Sequence, residues 1–377
     1  MKRKKVKREA VKRGNVRRGK KFTLHVSLFI LGCLLSSCTG LGSTRPVVKI
    51  GLVAPFGGLH RHQGYDVLYA VKLAVRERNA AGGVSGYMVE LVALDDSNDP
   101  AQAPLQARKM IVDAEAPAVM GVMGHFSDQA ALAAVDEYHR AGLALITPVA
   151  ADAVTERGYP EIFRLYARND LLGKEAARYA VEELGMRRLA VLRGDDDLAE
   201  AFVQTAEQLG ATVVLDADVD LAFHASRFTS AELIFFSGGA VEGAELIAQA
   251  RGAGIEVIFM GGSGLDSPQL GQIGGEAVRG TLYITAAPRV EEGGFVADYQ
   301  VLSGRLPGPQ AVLAYDAACV LLEALTRAIE SRGEPARDAV VAELNALKNY
   351  PGLIGSITFD DNGDLVDPQT YVYRFEL

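Results

Sequence analysis

The fold of this chain is constrained most by a regular alternation of apolar strands and amphipathic helices that begins at residue 47. The first strand is predicted at 47–55 (VVKIGLVAP), and apolar residues at helical spacing follow it through 67–75. The alternation continues through further strand-like segments, which read VELVALDD, APAVMGVMG, LALITPVA, RRLAVLRGD, ATVVLDADV, AELIFFSGG and EVIFMGG. Strands that alternate with helices predict parallel sheets covered by helices on both faces.

A coarse repeat of this pattern predicts two similar lobes. Residues 47–160 and 184–285 each hold about four strand–helix units. Two helices are predicted after them, at about 311–332 and 336–348. Two β-rich runs then flank an Asn362–Gly363 turn, and the simplest interpretation is a hairpin.

Residues 1–37 have the layout of a secretory signal peptide. Twelve basic residues and one acid precede an apolar run at 22–35, and small residues lead up to Cys38. The apolar run is shorter than the roughly 20 residues of a comfortable membrane span. The sequence LSSC resembles the lipobox of bacterial lipoproteins, so we expect cleavage before Cys38 and a lipid on its thiol. A plain secretion signal, an uncleaved anchor and cleavage before Cys33 are the alternatives.

The charge of the remaining chain argues against nucleic acid as a partner. The leader holds 12 of the 39 basic residues and one of the 47 acidic residues, which leaves 27 basic against 46 acidic residues, a formal charge of −19. A surface this acidic repels phosphate backbones. The length that remains is sufficient for two domains of ordinary size.

No motif of a nucleotide-binding or hydrolytic enzyme is present in the sequence. The first strand is not followed by GxGxxG, and neither a Walker loop nor a GxSxG elbow occurs. The histidines lack metal-ligand spacing, apart from the weak pair His60 and His62 on a predicted loop. We therefore expect neither catalysis nor a cofactor nor a bound metal.

The loops that follow the predicted strands are the candidate ligand site, because ligands of parallel sheets bind beyond the carboxyl ends of the strands. These loops lie at 55–64, 95–100, 124–129, 147–152, 193–200, 237–243 and 261–267. In one of them, Asp195–Asp197 admits two interpretations. The acids either place favourable charge at the start of a helix, or one of them faces the cleft.

Taken together, these features resemble a known family. The motifs that carry the resemblance are the lipobox, KIGLVAPFGG, YAVKLAVRERNAAGGVSGYMVELVALDDSNDP, GHFSDQAAL, LITPVAADAVTERGYPEIFRL, FMGGSGLDSP and LAYDAACVLLEAL. Their order and spacing over 47–377 resemble the leucine/isoleucine/valine-type substrate-binding proteins of ABC transporters. The resemblance implies the type I periplasmic binding fold, an α/β fold of two Rossmann-like lobes with parallel sheets, joined by three chain crossings.

The resemblance also implies how the chain is divided and what it contacts. The lobes would close on a small-molecule ligand by hinge motion, and the permease subunits of an ABC transporter would recognise the closed form. The crossings are expected near 163–170, 282–289 and 350–357. The predicted divisions are 1–37 for the signal peptide, 38–46 for a linker, 47–165 plus 285–350 for lobe 1, and 166–284 plus 351–377 for lobe 2.

The ligand-binding positions implied by the resemblance carry side chains that differ from those of amino-acid binders. The key hydroxyl of the SDQ loop falls on Asp128, with Ser127 one place before it, and the acid for the ligand's ammonium falls on Ser263. Positions for a second hydroxyl and for aromatic rings hold small, aliphatic or amide side chains. The candidate ligand-binding residues are Gln63, Ser127, Asp128, Ala150, Ala151, Asp197, Leu198, Gly239, Ser263 and Asp266.

Two classes of function follow from the sequence. The first is an extracytoplasmic solute-binding lipoprotein that captures a small polar ligand and delivers it to an ABC transporter permease. The alternative is a ligand-sensing or cell-wall interaction lipoprotein on the same fold, without transport.

Zwitterionic aliphatic amino acids are expected to bind poorly. A ligand carboxylate about 4 Å from Asp128 would be repelled by roughly 4 kcal/mol at an effective dielectric near 20. If the loop is shifted by one residue, Ser127 instead supplies a hydroxyl and Asp128 points to solvent.

Overall fold

The computed structural model describes residues 45–112, 118–219, 228 and 230–376. The predicted signal peptide, the predicted lipidation site Cys38 and nearly all of the predicted linker lie outside these residues. The chain divides into two units, Met1–Arg45 and Pro46–Leu377, and the second unit is described below. Within the described residues, no helix is both long enough and apolar enough to cross a membrane.

Helices and strands alternate along the second unit as the sequence predicts. The described strands are β1 Val47–Ala54, β2 Met88–Asp95, β3 Val119–Gly124, β4 Ala144–Thr147, β5 Ile162–Arg164, β6 Arg188–Arg193, β7 Thr212–Asp218, β8 Leu233–Phe236, β9 Ile258–Gly261, β10 Leu282–Thr285, β11 Tyr350–Gly352, β12 Gly355–Ile357 and β13 Tyr371–Arg374. The described α-helices are α1 Arg61–Ala80, α2 Ala103–Ile111, α3 Asp128–Arg140, α4 Asn169–Arg178, α5 Asp196–Gln208, α6 Ala240–Gly252, α7 Pro268–Gly274, α8 Gly294–Ser303, α9 Pro309–Arg332 and α10 Arg337–Asn345.

These strands form two main sheets, one in each lobe. The first sheet has the order β2-β1-β3-β4-β5, and its strands are all parallel. The second has the order β13-β10-β9-β8-β6-β7, and it is parallel except at β13, which pairs antiparallel with β10. The predicted fold class, two α/β lobes with parallel sheets, is confirmed.

Both faces of the first sheet are buried, which explains why its strands read as continuous apolar runs. In β1, Ile50 and Leu52 join the core that contains the apolar residues of α1 and α9. Their neighbour Val53 points to the opposite face and joins the core that contains those of α2 and α3. The carboxyl ends of the strands are left uncovered by this arrangement, so the loops after them form one surface.

Two of the chain crossings are hydrogen-bonded to each other. The Tyr166 hydroxyl, just after β5, lies 2.7 Å from the Thr285 hydroxyl at the end of β10. The same Tyr166 oxygen accepts a hydrogen bond of 3.2 Å from the backbone N–H of Ala286. These contacts join the segments through which the chain passes between the lobes.

The segment after α10 differs from the predicted hairpin. β12 pairs with β11, and β13 pairs with β10 of the second sheet, so the two β-rich runs do not pair as one hairpin. A single antiparallel bridge, Phe359 with Leu365, flanks the predicted turn at Asn362–Gly363. The pattern of apolar residues predicted the strands, but it carries no information about which strand is the partner.

Residues 350–365 contact the first lobe. The carboxylate of Asp316 in α9 accepts hydrogen bonds from the backbone N–H groups of Leu353 and Ile354, both at 2.9 Å. The Asp364 carboxylate accepts one from Arg164 of β5 at 2.7 Å. The predicted lobe boundary after residue 350 assigned this segment to the second lobe, whereas these polar contacts hold it against the first.

Candidate functional site

A cavity of about 780 Å³ lies where the loops of the two lobes face each other. Its walls come from the loops after β1, β2, β3 and β4 of the first lobe and after β8 and β9 of the second, together with Tyr166 and the loop before α9. The sequence predicted a site at these strand ends. A smaller cavity of about 430 Å³ lies beside the β11–β12 hairpin, away from the carboxyl ends of the strands of either main sheet.

The first-lobe wall is built around the start of α3. Ser127 is the residue before the helix, and its hydroxyl accepts a hydrogen bond of 3.3 Å from the backbone N–H of Ala130, the usual role of a serine at this position. Asp128 Oδ1 accepts two further hydrogen bonds, from the N–H groups of Ala150 at 2.9 Å and Ala151 at 3.0 Å. Asp128 therefore faces the loop after β4, and the alternative in which it points to solvent does not describe its geometry.

The ionisation of Asp128 is shaped by opposing effects. Burial raises the pKa of its carboxyl group, the bonds from Ala151 and Ala150 and the charge of Arg164 lower it, and the negative charge of Asp197 raises it. The net direction is a raised pKa. A carboxylate with two N–H donors on one oxygen keeps a site for a donor on the other.

Gln63, Asn98 and Phe126 form a chain of hydrogen bonds beside Asp128. The Gln63 side chain donates to the backbone oxygen of Phe126 at 3.3 Å and accepts from Asn98 Nδ2 at 3.1 Å. Asn98 lies in the loop after β2, where its backbone has a φ of +54°. Both Gln63 and Asn98 line the cavity.

A buried hydrogen-bond network supports the first-lobe wall. His125 Nδ1 lies 2.6 Å from Asp96 Oδ2, and His125 Nε2 lies 3.2 Å from the Tyr138 hydroxyl. All three side chains are buried from solvent. Because Asp96 precedes Asn98 by two residues and His125 precedes Asp128 by three, the network fixes two site loops relative to each other.

The second-lobe wall contains Gly239, Ser263 and Asp266, together with Tyr166 from the crossing. Burial raises the pKa of Asp266 to about 6, an effect that the charge of Arg289 and a hydrogen bond with Tyr283 partly offset. Arg289 Nη2 lies 3.8 Å from Asp266 Oδ1. Burial also raises the pKa of Tyr166 to about 12, so its hydroxyl stays protonated at neutral pH.

One hydrogen bond joins the two lobes beside the cavity. Gln269 Nε2 of α7, in the second lobe, donates to the backbone oxygen of Leu59 in the first lobe at 3.2 Å. The two walls are therefore close enough for direct contact at this point.

Three of the predicted site residues do not line the cavity. Ala151 is buried, and it contributes its N–H to Asp128. Leu198 is buried in the first turn of α5, where an added side chain at Gly262 would collide with it. Asp197 is exposed beside it. Asp195 accepts a hydrogen bond from the Leu198 N–H at 3.1 Å, so this acid caps the start of α5.

The predicted list of ligand-binding residues omits several residues that line the cavity. They are Asp66, Asn98, Tyr166, Arg305 and Gln310. Gln310 is in the first turn of α9, a helix whose start the sequence indicated through Pro309 without showing that it faces a cleft. Asp66 accepts hydrogen bonds from the Tyr299 hydroxyl at 2.8 Å and from the N–H groups of Gly308 and Ala311, both at 3.1 Å, and so fixes the start of α9.

The arrangement is suited to binding. Hydrogen-bonding groups from both lobes converge on a partly enclosed volume of the size that small ligands occupy. Within the described residues, no group of three or more histidine, cysteine or acidic side chains is placed to hold a metal ion.

Comparison with known proteins identifies the family. The family model described as "Periplasmic binding protein" matches residues 47–376. A Pseudomonas aeruginosa "Amino acid binding protein" is 30% identical over 368 residues, covering 92% of this chain and 95% of its own. A second protein of that organism, the "Leucine-, isoleucine-, valine-, threonine-, and alanine-binding protein", is 28% identical over 377 residues, covering 94% and 97%.

Solved structures show the same fold. The crystal structure of the leucine-binding protein LivK from Thermotoga maritima has a TM-score of 0.76 and 28% identity, and the match covers 88% of this chain and 96% of that one. A solute-binding protein from Rhodopseudomonas palustris in complex with 3,4-dihydroxybenzoic acid has a TM-score of 0.73 at 23% identity, covering 88% and 93%, which shows the fold alone.

The two lobes and the cleft between them define a solute-binding protein. The chain belongs to the periplasmic binding protein family. The resemblance to the leucine/isoleucine/valine-type binding proteins is confirmed, and transport is supported over the alternative of an interaction lipoprotein.

Proposed function

We propose that this protein captures a small polar ligand between its two lobes and delivers it to the permease of an ABC transporter, outside the cytoplasm. The observation that carries the proposal is the cavity of about 780 Å³ whose walls come from both lobes. A ligand in this position contacts both walls at once, so its binding energy favours the closed arrangement over the open one. The family is a solute-binding family, and we infer binding without catalysis.

Closure is proposed to occur about the crossings. The hydrogen bond between Tyr166 and Thr285 joins two of them, and the bond from Gln269 to the Leu59 oxygen connects α7 of the second lobe to the loop after β1 of the first. Because residues 350–365 contact the first lobe, we propose that the third crossing lies between residue 366 and β13. Lobe 1 then comprises 47–165 and 285–365, and lobe 2 comprises 166–284 and 366–377.

The ligand is proposed to differ from a simple aliphatic amino acid. The relatives are named for leucine, isoleucine, valine and other amino acids, whereas a structure of the same fold holds a dihydroxybenzoic acid. In this chain, the positions that the resemblance assigns to the ligand's carboxylate and ammonium hold Asp128 and Ser263. Gln63, Ser127, Asp128, Ala150, Gly239, Ser263 and Asp266 are the predicted ligand-binding residues that also line the cavity.

Anchoring through Cys38 remains part of the proposal. The leader layout and the LSSC sequence support cleavage before Cys38 and lipid attachment. A lipid anchor holds a protein stably on a membrane when it carries more than one acyl chain. Replacing Cys38 with alanine should release the protein from membranes or leave an uncut precursor. Mass spectrometry of a mature protein cut elsewhere and free of lipid would contradict this.

Ligand binding is tested by thermal unfolding against a panel of amino acids, amines, amides, aromatic acids and sugars. A ligand at a hundred times its dissociation constant adds about 2.7 kcal/mol, which raises the unfolding midpoint by several degrees. Small-angle scattering with any compound that raises the midpoint should show a smaller radius of gyration. A panel without a single stabilising compound would overturn the proposal.

A further inference from the structure

The backbone donors of the first-lobe wall are already used by the protein's own carboxylate. The N–H groups of Ala150 and Ala151 both point at Asp128 Oδ1, at 2.9 and 3.0 Å. Two adjacent N–H groups that converge on one oxygen form a site suited to an anion. Asp128 fills that site from within, so a ligand carboxylate would have to displace it or lie against its negative charge.

Two other polar atoms in the wall are acceptors without a partner. The described residues provide no hydrogen-bond donor for Asn98 Oδ1 or for Gln310 Oε1, and both atoms are buried. Both residues line the same cavity as Asp128. Buried polar atoms cost free energy unless they are hydrogen-bonded, so a ligand whose N–H donors reach these oxygens after the amide side chains rotate toward the cavity gains from both.

The charged side chains around the cavity also favour a cationic ligand over an anionic one. Its walls carry the carboxyl groups of Asp66, Asp128, Glu242 and Asp266. Arg305 is the arginine among its lining residues, and its guanidinium lies 3.8 Å from Asp66 Oδ1. The charge of Asp66 is therefore offset locally, and that of Asp266 is offset in part by Arg289 at 3.8 Å. The carboxyl groups of Asp128 and Glu242 have no ion pair with the residues that the structure describes, and their potential favours a cation.

We propose that the ligand is a small organic cation without a free carboxylate, such as a primary amine or an amidine, and that Asp128 is the residue that determines this specificity. The second oxygen of Asp128 accepts the ligand's N–H groups, and the amide oxygens of Asn98 and Gln310 accept further ones once their side chains rotate toward the ligand. The inference rests on the proposed function, since it names the ligand class of the same cleft.

The test compares amino acids with the amines obtained by removing their carboxyl group. The pairs are leucine with 3-methylbutylamine, valine with isobutylamine, and arginine with agmatine, each titrated calorimetrically into the wild-type protein. Within a pair, the apolar or basic side chain is constant and the carboxylate alone differs. At about 4 Å and an effective dielectric near 20, repulsion between Asp128 and the ligand's carboxylate lowers the affinity roughly a thousandfold. We expect at least one amine to bind at least a hundredfold more tightly than its amino acid.

Two substitutions at Asp128 separate its charge from its occupation of the N–H pair. Asp128→Asn keeps an oxygen for both N–H groups and removes the charge, so amine affinity should fall at least tenfold, and the amino acid should bind more tightly than it binds wild type because the repulsion is gone. Asp128→Ser frees the N–H pair, and the amino acid of each pair should then bind at least tenfold more tightly than it binds wild type. Asp196→Asn removes the same charge at an exposed position outside the cavity, and the affinities should change less than threefold.

A substitution at another residue of the cavity keeps the inference testable if the Asp128 variants fold poorly. Gln310→Leu removes one free acceptor and leaves the bonds of Asp128 in place, so amine affinity should fall at least fivefold. Tighter binding of the amino acid than of the amine by the wild-type protein would overturn the inference while supporting the proposed function. The absence of binding by every amine would also overturn it, and the wider panel of compounds would then decide the proposed function separately.

Discussion

At the scale of single residues, a buried ion pair joins the first lobe to the segment that follows α10. Arg164 is fully buried, and its Nε donates to Asp364 Oδ1 at 2.7 Å. Thr155 and Arg168 also donate to the Asp364 carboxylate, at 2.9 Å and 3.3 Å. Removing one member of such a pair leaves an uncompensated buried charge, which costs more than the pair itself contributes.

Replacing Asp364 with asparagine should therefore destabilise the protein by about 3–5 kcal/mol. The measurement is the free energy of unfolding from urea titration. Glu276→Gln is the matched control, because its ion pair with Arg279 lies on the surface and should matter little. Equal stability of the Asp364 variant and the wild type would show that Arg164 is stabilised by other groups.

The raised pKa of Asp266 predicts a dependence of stability on pH. Its ordinary pKa is 3.8 and burial raises it to about 6 in the folded chain. Between these values the folded state holds a proton that the unfolded state has lost, so this group's stabilisation is present below about pH 4 and is lost as the pH rises through 6.

Replacing Asp266 with asparagine removes this titration. The unfolding free energy of the variant, relative to wild type, should rise by up to about 3 kcal/mol between pH 4 and pH 7. Ligand-free protein should be used, because Asp266 lines the cavity. Parallel stability curves for the two proteins over this range would contradict the prediction.

The loops that form the site could be predicted from the sequence where a strand end marks them. The loops of Asp128 and Ser263 follow apolar strands, and parallel strands place such loops at one edge of a sheet. The two residues themselves were assigned through the family resemblance. The bond from the Ala150 N–H to Asp128 depends on how two loops approach each other, which no local pattern encodes. Gln310 was missed for the same reason, since its sequence shows only the start of a helix.

At the scale of secondary-structure elements, close packing of α4 against α5 depends on a glycine. A Cβ atom added at Gly173 of α4 would lie 2.4 Å from the Leu198 carbonyl oxygen and 2.8 Å from Ala201 Cβ of α5. Both contacts are shorter than real Cβ atoms tolerate, and a backbone oxygen cannot rotate away. The two helices would have to separate.

Gly173→Ala should accordingly destabilise the protein by about 1–3 kcal/mol through overpacking. Gly252→Ala is the control, because Gly252 is exposed near the end of α6 and an added Cβ would meet nothing within 4 Å. That substitution should be neutral or stabilising by up to about 1 kcal/mol. Thermal unfolding of both variants distinguishes the two effects, and a neutral Gly173→Ala would show that the helices can move apart freely.

Strands and helices were predictable at this scale because burial on both faces of a parallel sheet leaves a continuous apolar run. The prediction of β1 at 47–55 agrees with the strand Val47–Ala54. The partner of β13 was not predictable, because its antiparallel contact with β10 joins residues about 90 positions apart. Sequence periodicity records which side of an element is apolar and does not record what covers it.

For the molecule as a whole, the proposed function requires a ligand bound in the cleft between the lobes. Gly239 offers a way to block that cleft without disturbing the fold. It lines the cavity, it precedes α6 with an extended backbone (φ −86°, ψ 168°) that any residue adopts, and an added Cβ would meet nothing within 4 Å. A tryptophan at this position should fill part of the cavity and leave the lobes folded.

The most direct test is the thermal midpoint of wild type and of Gly239→Trp, each measured with and without every compound of the panel. We expect equal midpoints for the two ligand-free proteins, a rise of several degrees for wild type with at least one compound, and no rise for the tryptophan variant with that compound. An equal rise in both proteins would place the ligand outside the cleft and overturn the proposed function.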